Sequence, residues 1–268
     1  MTDKYAVIGN PVAHSKSPSI HKMFAQQTGQ DISYEAVLAP LDGFAAKVEE
    51  LRNAGYRGCN VTVPFKQSAY QLPDRKRYLS YDVVHAHAAN TLEFKSDGLH
   101  LHNTDGVGLT RDIQENCGVP LRGKRVLLMG AGGAAMGVLS PLRDAGANIT
   151  VANRTVDKAI ILAERFVVSS CSYDDLAGKQ FDIIINATSS GLSNEMPDIP
   201  KTVFATGALA YEMMYGRETP FMKFAREHGA VVSDGLGMLV EQAAESFFIW
   251  RSVRPDTAPV IEVLRDQR

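Results

Sequence analysis

The feature that most constrains the fold is a glycine turn between an apolar strand and a helix. Val126–Met129 are four consecutive apolar residues, and Gly130-Ala131-Gly132-Gly133 follow them. A short apolar run that stops at glycine is typical of a buried strand in a parallel sheet. Gly130 can make the tight turn, while Gly132 and Gly133 let a pyrophosphate approach the backbone at the start of the next helix. The pattern predicts a Rossmann-type sheet that binds a dinucleotide.

The following stretch continues to alternate between strands and helices. A helix is predicted from the glycine turn to about Ala145, and a second helix over Val156–Phe166. The predicted strands are Asn148–Ala152, Phe181–Asn186 and Leu209–Met213. This βαβαβ rhythm is that of a doubly wound parallel sheet, so the glycine turn stands where such a sheet binds its ligand. A glycine turn after a strand can also be purely structural, and that alternative stays open here.

The end of the second predicted strand distinguishes NADP from NAD. NAD sites usually carry an acidic residue about 20 residues after the first glycine, where it accepts a hydrogen bond from the ribose 2′-hydroxyl. This chain has Asn153-Arg154-Thr155 there, followed by Lys158. An arginine with a nearby lysine would bind a 2′-phosphate, whereas a carboxylate would repel it. The residues therefore favour NADP, the alternative being that Arg154 is a solvated loop cation.

The first third of the chain also alternates between strands and helices. Its predicted strands are Tyr5–Gly9, Ser33–Leu38 and Cys59–Val63, with a hairpin of Asn90–Phe94 and Leu99–His102 around Ser96-Asp97-Gly98. Helices are predicted over Leu41–Ala54 and from Ser17-Pro18, where Ser17 is expected to be the N-cap. Residues 67–89, which include the charged run Asp74–Arg77, are predicted as helix and loop.

A change of pattern near residue 106 predicts two domains. A helix over Val107–Cys117 leads into the dinucleotide-binding part. The apolar-rich helix Gly237–Trp250 and a further helix over Pro259–Arg265 need a partner surface, which we expect the first domain to provide. The predicted domains are a substrate-binding domain over 1–105, to which 238–268 returns, and an NADP-binding domain over 106–237. The predicted fold class is therefore α/β, with C-terminal helices that pack back on the first domain.

Composition argues against several classes of protein. The 268 residues are 45% hydrophobic and carry a net charge of −2, which suits a globular enzyme better than a nucleic-acid-binding or membrane-surface protein. No apolar run approaches the roughly 20 residues that span a bilayer, and the start of the chain lacks a signal-peptide pattern. Cys59, Cys117 and Cys171 are too scattered for a disulfide framework, and the histidines show no metal-ligand spacing. We expect a cytoplasmic protein without a metal site.

Three polar clusters follow predicted strands of the first domain, where α/β sheets bind their ligands. Ser15 and Ser17 stand at a helix N-terminus, which can bind a carboxylate but can equally be an ordinary helix start. Lys66 follows Pro64 near the opening of a helix, where a cation opposes the helix dipole. Such unfavourable local choices are common in functional sites, although a surface lysine explains the residue as well. Asp105 precedes a helix and can be a functional or a capping acid.

Taken together, these motifs resemble the shikimate dehydrogenase family over essentially the whole chain. The matching stretches are Tyr5–Asn10 with the Ser-Lys-Ser-Pro that follows, Asn60–Lys66, Asn90-Thr91, Asn103–Gly106, Gly130–Ala134, Asn153–Thr155, Asn186–Ser189 and Asp234–Gln242. Several motifs in one order are far more specific than any one of them. The resemblance implies reversible, NADP-linked interconversion of shikimate and 3-dehydroshikimate, a step in aromatic amino-acid and chorismate biosynthesis.

The resemblance also implies roles for individual residues. Lys66 would exchange the proton at the reacting oxygen, and Asp105 would orient Lys66 and accept a hydrogen bond from a ring hydroxyl. The implied substrate-binding residues are Ser15, Ser17, Thr62, Asn90, Asp105, Tyr215 and Gln242. The implied cofactor-binding residues are Gly130, Ala131, Gly132, Gly133, Ala134, Asn153, Arg154, Thr155, Lys158, Met213 and Gly235. Hydride transfer from an alcohol needs such a proton acceptor and close alignment with a nicotinamide.

Two alternative functions and one departure from the family pattern stay open at this point. The nearest alternative is a quinate/shikimate dehydrogenase that uses NAD, against which Arg154 argues. The other is a catalytically silent, NADP-binding regulatory module, which the retained lysine and carboxylate disfavour. Residues 67–89 look longer than the family pattern, with His87-Ala88-Ala89 in place of Gly-Ala-Val. This departure puts turnover and fine substrate preference in question more than fold or cofactor, and both a monomer and a homodimer fit the sequence.

Overall fold

A computed structural model of the chain describes residues 2–72 and 77–267. The chain divides into two compact units. The first unit comprises Met1–Gly108 with Val240–Arg268, and the second comprises Leu109–Leu239. Residues 73–76, which belong to the segment predicted as helix and loop, lie outside the described residues.

The first unit contains a mixed sheet. Its strands are β1 (Asp3–Gly9), β2 (Ile32–Leu38), β3 (Tyr56–Val61), β4 (Arg77–Leu79), β5 (Thr91–Lys95) and β6 (Gly98–His102), in the spatial order β2-β1-β3-β5-β6-β4. β1 pairs in parallel with β2 and β3, whereas β5 is antiparallel to both β3 and β6. The antiparallel pairs exist because β5 and β6 form the hairpin that the Ser-Asp-Gly turn predicts. As a result, β1, β3 and β6 all end at the same edge of the sheet.

Helices cover this sheet, and the last two return to it from the end of the chain. They are α1 (Ser17–Thr28), α2 (Phe44–Asn53), α3 (Lys66–Tyr70), α4 (Tyr81–Ala86), the second part of α9 (Leu236–Arg251) and α10 (Ala258–Asp266). The predicted cap of α1 is wrong by one residue, because Lys16 is the N-cap and Ser17 is already helical. Ser15 explains the difference, since its hydroxyl accepts a hydrogen bond from the Ser17 N–H at 3.2 Å.

Aromatic side chains attach the C-terminal helix α9 to the sheet of the first unit. The Trp250 ring stacks on Tyr5 with centroids 4.6 Å apart, and its Nε1 donates to the Leu92 carbonyl at 3.1 Å. A Cβ at Gly58 would overlap both the indole and that carbonyl, so only glycine fits there. His21 is fully buried in the same region, and burial lowers its pKa to about 3, so the imidazole is a neutral core residue. The C-terminal helices thus pack on the first unit, as predicted.

The second unit contains a fully parallel, doubly wound sheet. Its strands are β7 (Arg125–Met129), β8 (Asn148–Ala152), β9 (Ser169–Cys171), β10 (Phe181–Asn186), β11 (Phe204–Glu212) and β12 (Val231–Asp234), in the order β12-β11-β10-β7-β8-β9. Its helices include α6 (Gly133–Asp144), α7 (Val156–Phe166) and α8 (Pro220–Glu227), and α5 (Asp105–Arg111) leads into it from the first unit. The predicted Rossmann-type fold is therefore confirmed.

Strand β7 shows why the buried part of a central parallel strand is apolar. Val126 and Leu128 pack into the core beneath one face of the sheet, whereas Leu127 and Met129 pack into the core on the other face. All four side chains are fully buried. Because alternate side chains of a strand point to opposite faces, a strand covered on both sides has no position left for a polar residue.

The helix predicted over Val107–Cys117 changes its geometry part-way. α5 gives way to a π-helical turn over Asp112–Asn116. Asp112 is fully buried, and it accepts hydrogen bonds from the Tyr211 hydroxyl at 2.5 Å and from Asn116 Nδ2 at 2.9 Å. A Cβ at Gly237 would overlap the Asp112 carboxylate. The wider turn therefore brings a buried carboxylate against the beginning of α9, where glycine is required.

The end of α7 offers a test of local backbone energetics. Val167 caps this helix in the left-handed conformation, with φ 55° and ψ 53°, and its side chain is 84% exposed. A β-branched residue is strained there, whereas glycine is not. Val167→Gly is expected to raise the free energy of unfolding by about 1 kcal/mol, the gain from relieved strain minus the greater entropy of the unfolded glycine. Urea titration measures the change. Val167→Ala keeps a Cβ and is the control, and a destabilising Val167→Gly would refute the interpretation.

Neither a membrane span nor a metal cluster is found in the part of the chain that the structure describes. No helix over residues 2–72 and 77–267 combines the length and the hydropathy that crossing a bilayer requires. Within the same ranges, His, Cys, Asp and Glu side chains form no group of three or more that could hold a metal ion. The three cysteines are free thiols.

Candidate active site

Lys66 and Asp105 form an ion pair in the first unit. Lys66 is the first residue of α3, which follows β3, and Asp105 is the first residue of α5, which follows β6. The Lys66 Nζ lies 2.6 Å from Asp105 Oδ2, and the two side chains are 32% and 16% exposed. A short, charge-assisted hydrogen bond of this kind is about twice as strong as a neutral one. The pair therefore holds an ammonium group in a defined position that solvent can still reach.

Asn90 fixes the other oxygen of the Asp105 carboxylate. Its Nδ2 donates to Asp105 Oδ1 at 2.9 Å and to Gln242 Oε1 at 3.2 Å. The Asn90 Oδ1 in turn accepts a hydrogen bond from the Thr104 N–H at 2.8 Å. Both carboxylate oxygens of Asp105 thus have a hydrogen-bond partner, so turning the carboxylate away from Lys66 would break both hydrogen bonds. The structure brings four predicted site residues of the first unit together: Lys66, Asn90, Asp105 and Gln242.

A second layer of buried polar side chains supports Asn90, and the sequence analysis assigned it no role. Asn60 Nδ2 donates to Thr91 Oγ1 at 3.1 Å and to Ser246 Oγ at 3.0 Å, while Asn60 Oδ1 accepts from the Tyr34 hydroxyl at 2.7 Å. Thr91 Oγ1 donates to Asn90 Oδ1 at 3.0 Å. Ser246 stands one helical turn after Gln242 on α9, and that spacing was the signal that could have revealed it. A fully hydrogen-bonded buried network of this kind rigidifies the side chains it contains.

The two serines and Thr62 lie along the same edge of the first sheet. Ser17 is buried and Ser15 half-buried at the start of α1, which follows β1. Thr62 follows β3, and its N–H donates to the Ile8 carbonyl of β1 at 2.9 Å. Because β1, β3 and β6 end at one edge, these hydroxyls share that edge with Lys66 and Asp105. The carboxyl ends of strands are where α/β sheets bind ligands.

A cavity of about 760 Å³ lies beside the glycine turn of the second unit. Residues 130–134, Asn153, Arg154, Tyr173 and residues 187–190 are among those that line it. Gly130 has φ 108°, and a Cβ there would lie 3.1 Å from the backbone of Ala187. Gly132 and Gly133 face open space at the N-terminus of α6. The turn therefore leaves the backbone N–H groups accessible, which is the geometry that a pyrophosphate requires.

Arg154 contributes a cation to the lining of this cavity. Asn153 Nδ2 donates to the Thr155 carbonyl at 2.9 Å, which shapes the turn before α7. Arg154 is exposed and lines the cavity beside Tyr173, whose pKa burial raises to about 12 although Arg154 lowers it. Tyr173 is thus an uncharged neighbour of the guanidinium. Thr155 is the N-cap of α7 and Lys158 lies exposed in its first turn, and neither belongs to the cavity lining. The residues present fit a dinucleotide with a 2′-phosphate.

Met213 and Gly235 lie together at the end of the same sheet. The Gly235 N–H donates to the Met214 carbonyl at 3.0 Å, and a Cβ at Gly235 would overlap the Met213 backbone. Met213 is half-buried against the core, and Tyr215 is 37% exposed on the turn that follows. None of these three lines the cavity beside the glycine turn. Residues 187–190 and Tyr173 do line it, although no motif in the sequence indicated a role for them.

Comparison with known proteins identifies the family. The first unit matches the shikimate dehydrogenase substrate binding domain over residues 7–92. The models named Shikimate / quinate 5-dehydrogenase and Shikimate 5'-dehydrogenase C-terminal domain match residues 112–194 and 235–265. A protein of Methylobacillus flagellatus named Shikimate dehydrogenase (NADP(+)) is 59% identical over 270 residues, which cover 98% of this chain and 99% of that protein. The chain belongs to the shikimate dehydrogenase family.

Two solved structures share the fold over nearly the full length. An Ael1 enzyme of Pseudomonas putida has a TM-score of 0.94 and is 47% identical, with 98% of each chain covered. Shikimate 5-dehydrogenase of Thermus thermophilus, solved in complex with NADP(H) and shikimate, has a TM-score of 0.88 at 32% identity, with 99% of each chain covered. The resemblance stated from the sequence motifs is thereby confirmed.

Proposed function

We propose that this chain is an NADP-dependent shikimate dehydrogenase, which reversibly reduces 3-dehydroshikimate to shikimate. The observation that carries the proposal is the 2.6 Å contact between Lys66 Nζ and Asp105 Oδ2, with Asn90 and Gln242 beside it. A cation that can give up a proton, held by a carboxylate among hydroxyl-binding amides, suits the oxidation and reduction of a ring alcohol. Membership of the shikimate dehydrogenase family indicates that this ring alcohol is shikimate.

We propose the following roles in the first unit. In the reduction, Lys66 as an ammonium donates its proton to the oxygen of the reacting carbonyl, and in the oxidation it takes that proton back. Asp105 keeps Lys66 in place and accepts a hydrogen bond from a neighbouring ring hydroxyl. Partial exposure of Lys66 lets it exchange protons with solvent between turnovers. Asn90, Gln242 and Thr62 bind the other ring hydroxyls.

The remaining residues bind the substrate carboxylate and the cofactor. The Ser15 and Ser17 hydroxyls bind the substrate carboxylate at the start of α1. NADPH, when bound, supplies the hydride to the carbonyl carbon. The backbone at residues 130–134 binds its pyrophosphate, and Asn153, Arg154, Thr155 and Lys158 surround the 2′-phosphate. Met213 and Gly235 bind the nicotinamide end of the cofactor, and Tyr215 covers the substrate.

The proposed domains follow from these roles. Residues 1–105 with 238–268 bind the substrate, and residues 106–237 bind NADP. We also propose a cytoplasmic enzyme that works as a monomer or a homodimer.

A spectrophotometric assay of NADPH formation tests the proposal. Shikimate with NADP is expected to be oxidised faster than quinate with NADP or shikimate with NAD. The family relationship favours shikimate as the substrate, and Arg154 can bind the 2′-phosphate that NADP carries and NAD lacks. Faster turnover of quinate with NAD would replace the proposal with the quinate/shikimate alternative. NADP binding without turnover of either substrate would instead indicate a regulatory module.

A further inference from the structure

A buried carboxylate lies at the end of β11, in the interior of the second unit. Glu212 is fully buried, and its register neighbours are Asn186 at the end of β10 and Asp234 at the end of β12. Burying a carboxylate is costly unless hydrogen-bond donors surround it. An apolar side chain would fill the position without that cost, so packing alone does not account for a carboxylate there.

Three donors, one from β10 and two from the turn after β11, converge on Glu212. Its Oε2 accepts from Asn186 Nδ2 at 2.8 Å and from Thr219 Oγ1 at 2.9 Å, and its Oε1 accepts from the Met214 N–H at 3.1 Å. Burial raises the pKa of the carboxyl, and these three donors act against that rise. Glu212 thus accepts three hydrogen bonds, two at Oε2 and one at Oε1.

The contact with Asn186 extends to the wall of the dinucleotide cavity. The Asn186 Oδ1 accepts from the Thr188 N–H at 3.2 Å and from Thr188 Oγ1 at 2.7 Å. Thr188 Oγ1 also shares a hydrogen bond with Ser190 Oγ at 2.7 Å. Residues 187–190 line the cavity beside the glycine turn, where Ala187 lies against Gly130. The orientation of the Asn186 amide, which Glu212 sets, therefore determines the position of this wall.

The other two contacts hold the turn that follows β11. Met214 binds Glu212 through its N–H and accepts from the Gly235 N–H at 3.0 Å through its carbonyl. Thr219 binds Glu212 and caps α8 by accepting from the Met222 N–H. Arg217, in the same turn, donates to the Gly191 carbonyl. The turn after β11 and the cavity wall after β10 are thus joined through one carboxylate.

We infer that Glu212 is a positioning residue for NADP, because its carboxylate fixes the two loops that follow β10 and β11 and thereby sets the affinity for the cofactor. This inference rests on the proposed function and adds a residue to it. Glu212 touches neither reactant in this account and acts only through Asn186, Met214 and Thr219. A competing explanation is that Glu212 serves folding alone, and the experiment must separate the two.

Exchanging the donor and the acceptor between positions 186 and 212 distinguishes a positioning role from a role in folding alone. Glu212→Gln puts an amide NH₂ against either the Asn186 NH₂ or the Met214 N–H, and Asn186→Asp puts a carboxylate against the Glu212 carboxylate. In the double variant the amide introduced at 212 donates to the carboxylate introduced at 186, whose other oxygen still accepts from Thr188. The double variant therefore restores the contact without restoring either original residue. Glu227→Gln, the same change at an exposed position of α8, is the matched control.

The readout is the KM for NADP beside the KM for shikimate, with urea unfolding of each variant. Each single substitution is expected to raise the KM for NADP at least about tenfold, the effect of losing one hydrogen bond to a charged group. The KM for shikimate is expected to stay within about threefold of the parent value, since the proposed substrate residues other than Tyr215 belong to the first unit. The double variant is expected to recover the KM for NADP to within about threefold.

Three results would overturn the inference. The first is an unchanged KM for NADP in a folded Glu212→Gln variant. The second is an equal rise of both KM values or a loss of folded protein alone, which would assign Glu212 to folding. The third is a double variant no better than the single ones. Absence of NADPH formation by the parent enzyme would instead refute the proposed function, so the two failures are distinguishable.

Discussion

Replacing Lys66 with alanine is expected to lower turnover by about 10²–10⁴-fold while leaving the affinity for NADPH unchanged. The reduction places negative charge on the carbonyl oxygen as the hydride arrives, and the Lys66 ammonium is the proposed donor that neutralises it. Asp105 alone cannot replace it, because an ionised carboxylate has no proton to give. The affinity is expected to persist since the residues proposed to bind NADPH are in the second unit, whereas Lys66 is in the first.

Turnover at saturating substrate and NADPH binding by fluorescence titration check this prediction. Lys22→Ala is the matched control, because Lys22 is an exposed lysine of α1 in the same unit and has no proposed role. It is expected to keep turnover within about twofold of the parent value. A Lys66→Ala variant that turns over as fast as the control would remove Lys66 from the reaction.

Replacing Arg154 with alanine is expected to weaken NADP binding by about 10- to 100-fold and NAD binding by less than about threefold. Arg154 lines the cavity beside the glycine turn, where it can form two parallel hydrogen bonds to a phosphate. NAD lacks the 2′-phosphate, so it loses only the weaker contacts of the arginine with the adenine end. The expected result is therefore a change in the preference between the cofactors rather than a uniform loss.

Dissociation constants for both cofactors measure this change. Arg165→Ala is the control, because it removes an exposed arginine from the far end of α7 in the same unit. It is expected to leave both constants within about twofold of the parent values. Equal weakening of NADP and NAD in Arg154→Ala would contradict the assignment of this residue to the 2′-phosphate.

Elements with a strong apolar period could be predicted residue for residue. Helix α7 buries Ala159, Leu162, Ala163 and Phe166, which recur at the spacing of one helical face, and its predicted bounds are those observed. Strand β7 is equally well defined, because its apolar run stops at Gly130. In both cases the local pattern and the tertiary environment favour the same structure.

Short elements without such a period could not be predicted. Strand β4 has three residues, of which two are exposed, and it exists only because β6 pairs with it. Helix α8 was missed although Thr219-Pro220 is a recognisable start, with a capping hydroxyl followed by proline. The π-helical turn at Asp112 has no local signature, since it depends on a hydrogen bond to Tyr211, 99 residues away.

The residue types of the site were predictable from motifs, but their partners were not. Asn90 contacts Gln242 across 152 residues of sequence, and Asn60 contacts Ser246 across 186. No spacing rule relates such pairs, because the fold alone brings α9 back to the first unit. Glu212 was missed for a similar reason, since only the register of β10 beside β11 places it against Asn186.

The rate of NADPH oxidation in a single turnover tests whether Lys66 donates the proton, because it reports the chemical step apart from binding and product release. With NADPH and 3-dehydroshikimate both saturating, the Lys66→Ala enzyme is expected to react at least about 100-fold more slowly than the parent. A single-turnover rate within about threefold of the parent rate would mean that another group exchanges the proton, and it would contradict the role of the Lys66–Asp105 pair.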